Sequence, residues 1–484
     1  MLRPAALAAL VLSTAAHADW MDHFAVREDV GIHKAPYLGD AELLIIPVEV
    51  DGHPKMAPEL LASFFGTENP TGFVRYYETA SLGRYRPKVT IAPTVKYATC
   101  PLPAATFPNC AVARGDIAAF TAGIDMIRDV IARARDAGVD FSKFDVNGRR
   151  GGPDGWHDGV MILTNTPFGG IAFPIGYYNR GDNLNGGTSG PLIVGGVKIG
   201  HVAIAGDGDV PVMVHEFGHV LGLTDLYDEL GNYNGLHYSF MGSWLYNFNI
   251  VLPDAETRFR LRWANWFQVQ GTMRVVIPPA ETTGQVYRLG FGDEYFLVEN
   301  RGPGTFDADM KLRGLVVNHV DRRKVKGDEG RFQERLADCV NCDAFHPFIR
   351  LVQADGKFQV EKGETANDAD DLFREGDALG ADPENIPLSR DHQVQSTNYY
   401  SGEPSGFAIK DVKVRPDGNI EATLIAPESG QCDETLCAEG EGCAPVACGP
   451  RPGEEVCGCS ASGMLFPLGL LALIAALRRR VTSS

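Results

Sequence analysis

The sequence predicts an α+β fold, in which a mixed sheet carrying one buried helix is followed by a β-rich region. Three observations carry that prediction. Short β-branched and leucine-rich runs alternate with segments of helical apolar spacing as far as Leu221. One of those segments, Pro211–Leu221, is apolar enough to lie inside the protein. From Thr272 onward the pattern changes to short alternating strands and helical periodicity becomes scarce.

The chain begins with Arg3, an apolar run from Ala5 to Val11 and the small-residue triplet Ala16-His17-Ala18. Residues 1–18 therefore read as a secretory signal peptide and stand outside the fold. Leu43–Val50 is a buried strand ending before Asp51-Gly52. Helices are expected at Pro58–Phe65 and Thr71–Ala80, then a strand at Lys88–Val95. Ile117–Ala137 keeps helical spacing until Gly138 stops it. Gly159–Thr164 is another strand, and Phe168–Gly200, rich in Gly and Asn, reads as surface loop that could wall a cleft. After the helix at Pro211–Leu221 come strands at Val275–Ile277, Tyr295–Glu299, Leu315–His319, Phe348–Val352 and Asn419–Ile425, with no internal repeat.

The segment with chemical content is His215-Glu216-Phe217-Gly218-His219-Val220-Leu221-Gly222-Leu223-Thr224-Asp225, an H-E-x-x-H-x-x-G-x-x-D pattern. His215 and His219 fall at i and i+4, so both imidazoles leave one face of a helix toward a single ion. Glu216 sits beside that face, in reach of a water on the metal. Gly222 tolerates the left-handed turn that ends a helix and can carry Asp225 back as a carboxylate ligand. Three protein ligands and one open position are the arrangement of catalytic rather than structural zinc.

This stretch resembles the immune inhibitor A family of secreted bacterial metallopeptidases. The resemblance extends to Tyr76–Arg84, Asp140–Asp145 and Asp225–Asp228. It also takes in Tyr238–Trp244, similar to the family's methionine turn with Met241 beneath the metal, and Glu294–Arg301 and Gly314–Asp321. It covers roughly residues 40–325, with Val220 where an Asp is usual and Thr224 where a Pro is usual. The resemblance implies a zincin-like peptidase domain over residues 19–271, with the β-rich region at 272–427.

An acidic balance of −18, or −22 once the four arginines Arg3, Arg478, Arg479 and Arg480 are removed with the chain ends, argues against nucleic acid as a partner and suits an exported protein. In that compartment ten cysteines read as disulfides. Cys100 and Cys110 bracket a proline-rich loop and are expected to pair; Cys339 and Cys342 form a C-x-x-C better read as a local disulfide than as half of a zinc ribbon. Residues 428–459 are a Cys-rich stalk with almost no large apolar residue after Leu436, too few to build a core. Residues 460–484 are a hydrophobic tail, apolar from Met464 to Leu477 and closed by Arg478-Arg479-Arg480. Cysteine, short apolar helix and arginines resemble the C-terminal sorting tails of myxobacterial surface proteins. The resemblance implies a membrane contact and a sorting or processing enzyme acting at Cys459, a plain single-span anchor being the alternative. Candidate calcium ligands are Asp145, Asn147, Asp154 and Asp158 in one loop, and Asp207 and Asp209 in another, although Asp and Asn also serve turns for local backbone reasons.

The expectation is an exported or surface-anchored zinc endopeptidase acting on extracellular protein or peptide substrates, with Glu216 as general base and Tyr238 or His237 as donor to the oxyanion. An aminopeptidase shares the same chemistry. A surface adhesin retaining an inactive metal helix is the rival of another class, and the intact Glu216 argues against it.

Overall fold

The computed structural model describes residues 35–102, 117–148, 151–167, 169–174, 191–206, 209–227, 236, 238–242, 250–308, 310–324, 341, 343–362, 369–380 and 396–427, all within the unit Met1–Glu428. They form a mixed α/β structure with several sheets and few helices.

The first sheet is built from β1 (Gly39–Val50), β2 (Tyr85–Ile91), β3 (Val95–Tyr97), β4 (Val160–Thr164), β5 (Gly170–Pro174) and β8 (His201–Gly206), in the order β2-β1-β4-β8-β5 with β3 also on β1. β1 runs parallel to β2, β3 and β4, and β4 parallel to β8. β5 alone is antiparallel, closing the edge beside β8 with Gly170 opposite Ala205. Both faces of β1 are covered, which is why its sequence shows an unbroken apolar run instead of alternation. Leu43 and Ile45 face one core, while Leu44, Ile46 and Val48 face another. The second of these cores is filled by Ile124, Ile127, Val130 and Ile131 of the long helix Ile117–Asp136. That helix stops at Gly138, whose φ of +96° is open to glycine.

The opposite face is covered by the helices Pro58–Phe65, Phe73–Ala80 and Val210–Val220, written here α1, α2 and α4 with α3 the long helix. Two expectations are corrected. The strand expected at Lys88–Val95 is two strands, β2 and β3, parallel to successive stretches of β1. The region expected as loop, Phe168–Gly200, contributes β5 and a hairpin of β6 (Leu192–Val194) and β7 (Val197–Ile199). Glycine-rich composition hid these strands, because backbone pairing with a neighbour supplies what local propensity does not.

A second sheet orders β14 (Ile349–Leu351), β13 (Gly314–Asp321), β12 (Glu294–Arg301), β11 (Gln285–Leu289) and β9 (Asn265–Gln268). β9, before residue 271, pairs with β11 beyond it. A third sheet orders β10 (Gly271–Ile277), β17 (Ile420–Ala426), β16 (Ala408–Val414) and β15 (Leu379–Gly380). Every residue of β12 and β13 is buried, since both faces are used. Tyr295, Leu297, Val316 and Val320 join the core around α4, whereas Phe296, Val298, Leu315 and Val317 pack toward the third sheet. Among the described residues no helix is long and apolar enough to cross a membrane. The signal segment, the C-x-x-C, the stalk and the tail lie outside the described residues, as does Cys110. Cys100 is disulfide-bonded.

Candidate metal centre

α4 starts at Val210 with Pro211 in its first turn, where the missing N–H costs nothing. It runs beneath β8 and β5, and from Val212 to Val220 each of its residues is buried. Tyr77 of α2 braces it by donating from its hydroxyl to the Val214 carbonyl at 2.7 Å. The helix closes through two backbone bonds. Gly222 N–H donates to His219 O at 2.8 Å and Leu223 N–H to Gly218 O at 3.0 Å, with Gly222 at φ +89°. This pair of bonds around a left-handed glycine reverses the chain. Asp225, three residues later, is thereby returned to the histidine face.

His215, His219 and Asp225 are all buried, and their ligand atoms lie within 4.8 Å of one another. His215 Nε2 is 3.0 Å from Asp225 Oδ1, and His219 Nε2 is 3.6 Å from the same oxygen. The other nitrogen of each ring is engaged by the backbone: His215 Nδ1 with Phe240 O and His219 Nδ1 with Leu223 O, each at 2.8 Å. A carbonyl only accepts, so both Nδ1 atoms carry the hydrogen and both Nε2 atoms present a lone pair in the neutral ring. Two such lone pairs and a carboxylate converging in a buried space call for a cation between them. Two imidazoles and one carboxylate are a set that zinc accepts, and backbone carbonyls on the far nitrogens are the usual means of orienting such ligands. In the absence of a metal a proton would answer the same need: burial depresses the His215 imidazole, but Asp225 outweighs it and raises it to about 9.

Glu216 lies on the adjacent face, 5% exposed. Burial raises its carboxyl to about 8, against the lowering influence of His215 and with a further push from Asp225. Met241 is fully buried in the loop 238–242, which packs against α4. Gly218 lets that loop approach α4: a Cβ there would stand 2.6 Å from Met241 Sδ and 2.7 Å from the Phe240 ring. The loop is fixed from below. Met241 N–H donates to Ser239 Oγ, Ser239 donates to Asp254, and Arg301 of β12 donates to the Tyr238 carbonyl while pairing with Asp307.

Tyr238 is buried in this loop, 6% exposed, and His237 lies outside the described residues. Two of the candidate calcium carboxylates are engaged by backbone N–H groups. Asp158 accepts the backbone N–H groups of Glu42, Val146 and Asn147, and Asp145 accepts those of Asp154 and Gly155. Asp145 shapes the local turn and Asp158 ties that loop to β1, and among the described residues the three-residue His and Asp group is the one acid, histidine and cysteine cluster with metal-binding spacing. Asp207 lies outside the described residues. The sequence segments holding Tyr77, Phe240 and Arg301 are singled out by resemblance, but their bonds, and the close approach at Gly170, involve residues distant in the chain and leave no local signal.

No protein-family model matches the chain. Over 181 residues it is 30% identical to a protein named Immune inhibitor A from Bacillus thuringiensis subsp. alesti. The alignment takes in 32% of this chain and 25% of that protein, so the chain spans about a quarter of the relative's length.

Proposed function

We propose that this chain is a zinc-dependent endopeptidase with a zincin-like domain over residues 19–271, its metal held by His215, His219 and Asp225 and its general base Glu216. The observation that carries the reading is the convergence of two Nε2 lone pairs and a buried carboxylate, with a second buried carboxylate beside them. The similarity to Immune inhibitor A supports it independently. The β-sheet region 272–427, the stalk 428–459 and the tail 460–484 with its processing point at Cys459 belong to the proposal. So do export after residue 18 and pairing of Cys100 with Cys110.

Zinc in this site would supply Lewis acidity, polarising a scissile carbonyl and making water acidic enough to deprotonate near neutrality. The protein's own residues do the rest. The Nδ1 bonds of His215 and His219 hold both rings in the tautomer that presents Nε2. Glu216 takes the proton of the attacking water on a carboxylate oxygen and returns it to the leaving amide nitrogen. Its buried surroundings bring its basicity closer to neutrality than that of an exposed carboxylate. Tyr238 stands as the proposed oxyanion donor from the described residues.

The test is cleavage of an unfolded protein by the purified chain, with and without a chelator, followed by zinc. Internal fragments that vanish with chelation and return with zinc are expected; single-residue release would favour the aminopeptidase instead. Cleavage undiminished in metal-free protein would overturn the reading.

A further inference from the structure

β5 meets α4 with almost nothing between them. Along this strand the side chains alternate, so Gly170, Ala172 and Pro174 share one face and Ile171 and Phe173 the other. Ile171 packs on the core around α3, which leaves Gly170 and Ala172 for the side of α4. Val212 and Glu216, at i and i+4, form the stripe of α4 that faces Gly170. A Cβ built on Gly170 would lie 2.2 Å from Glu216 Oε1, 2.7 Å from Glu216 Cδ and 2.6 Å from Val212 Cγ1. The Glu216 carboxylate therefore occupies the place where any other residue would put its first side-chain atom. Gly170 has no left-handed backbone to explain its identity, since the positive φ of +77° belongs to Gly169. Register holds the position: Gly170 pairs with Ala205, and Gly206 N–H donates to Gly169 O at 2.7 Å.

We infer that Gly170 is a positioning residue for Glu216: its missing side chain forms the slot that seats the carboxylate against the edge strand. The inference rests on the proposed role of Glu216 as base. An added methyl would have to displace Oε1 by about an ångström to reach ordinary contact. Because Oε1 ends a flexible side chain, that shift is cheap for folding. For catalysis it is costly, since a misplacement of this size can cost on the order of a hundredfold.

The experiment compares Gly170→Ala with the parent chain in zinc content, KM, kcat and Tm, and repeats the Tm comparison in a Glu216→Ala background. Expected are unchanged zinc and KM with kcat down on the order of tenfold to a hundredfold, and a Tm cost that shrinks once Glu216 is removed. If Val212 makes the single variant unstable, the same comparison is made in a Val212→Ala background. A Gly170→Ala chain with normal kcat overturns the inference. So does one that loses zinc and stability equally in both backgrounds, which marks a strand defect. An active Glu216→Ala chain would instead sink the base assignment, while the Tm coupling still decides whether the slot exists.

Discussion

His215 Nδ1 stands 2.8 Å from the carbonyl oxygen of Phe240, twenty-five residues further along the chain. This bond ties α4 to the loop that carries Met241, and the loop is anchored in turn by Arg301 and Asp254. The loop that orients His215 is thus braced by Arg301 of β12 in the second sheet. His219 takes its orientation locally, from Leu223 in the same helix terminus. One imidazole is set by tertiary structure and the other by the helix end.

Asp225→Ala removes the carboxylate that both Nε2 atoms approach. Zinc affinity is expected to fall by more than about a hundredfold, beyond what loss of an outer partner costs, and activity with it. Metal analysis after dialysis against a zinc buffer measures this. Full zinc content in the variant would send the search for the third ligand to another residue, Asp228 first.

Much of this centre is legible in the sequence, because helix geometry and the left-handed glycine are local. The i, i+4 histidines and the turn at Gly222 follow from spacing and from one residue type, and the structure has them as the spacing implies. Partnerships across the chain leave no such trace. Nothing near Gly170 announces that Glu216 fills its side-chain space, and nothing near Asp158 announces that its acceptors serve Glu42, 116 residues away. The fold divides in the same way. Fully buried strands such as β1 and β4 stand out as apolar runs, while β5 and the β6–β7 hairpin lie in glycine-rich sequence and exist through pairing.

Asp158→Ala would strand three backbone N–H groups that now share one carboxylate. A loss of about 3 kcal/mol or more in urea unfolding is expected, with Asp158→Asn milder because its carbonyl oxygen still accepts. Calcium should leave Tm unchanged. An innocuous Asp158→Ala, or a calcium-dependent rise in Tm that the variant abolishes, would contradict the loop-tying role.

His319 should make the fold acid-sensitive. Its ring is buried between Phe296 and Tyr400, with centroids 4.1 Å and 4.2 Å away. Burial lowers it to about 4, an effect that Arg350 reinforces and that Glu294 and Asp321 oppose. The same imidazole in an unfolded chain titrates near 6.5. Between these values the unfolded state binds the extra proton, so stability falls as pH drops from about 6.5 to about 4 and this contribution then levels off. Replacing His319 by Gln should flatten the slope in this window by up to about 1.4 kcal/mol per pH unit. His157, lowered to about 3 by burial, adds a slope of the same sign, whereas Glu216 and Asp158, raised by burial to about 8 and about 7, add slopes of the opposite sign, so the parent and the variant are compared directly. Unfolding midpoints measured from pH 7 to pH 4 decide it; an unaltered slope in the variant would refute the assignment.

The most direct measurement of the central claim is zinc content and proteolysis determined together on Glu216→Gln. Glutamine keeps the size of the buried side chain beside His215 but cannot take up a proton. The variant should hold about one zinc per chain while losing at least the ~10²–10⁴-fold that general-base catalysis supplies. A Glu216→Gln chain that cleaves protein at close to the parental rate would contradict the account.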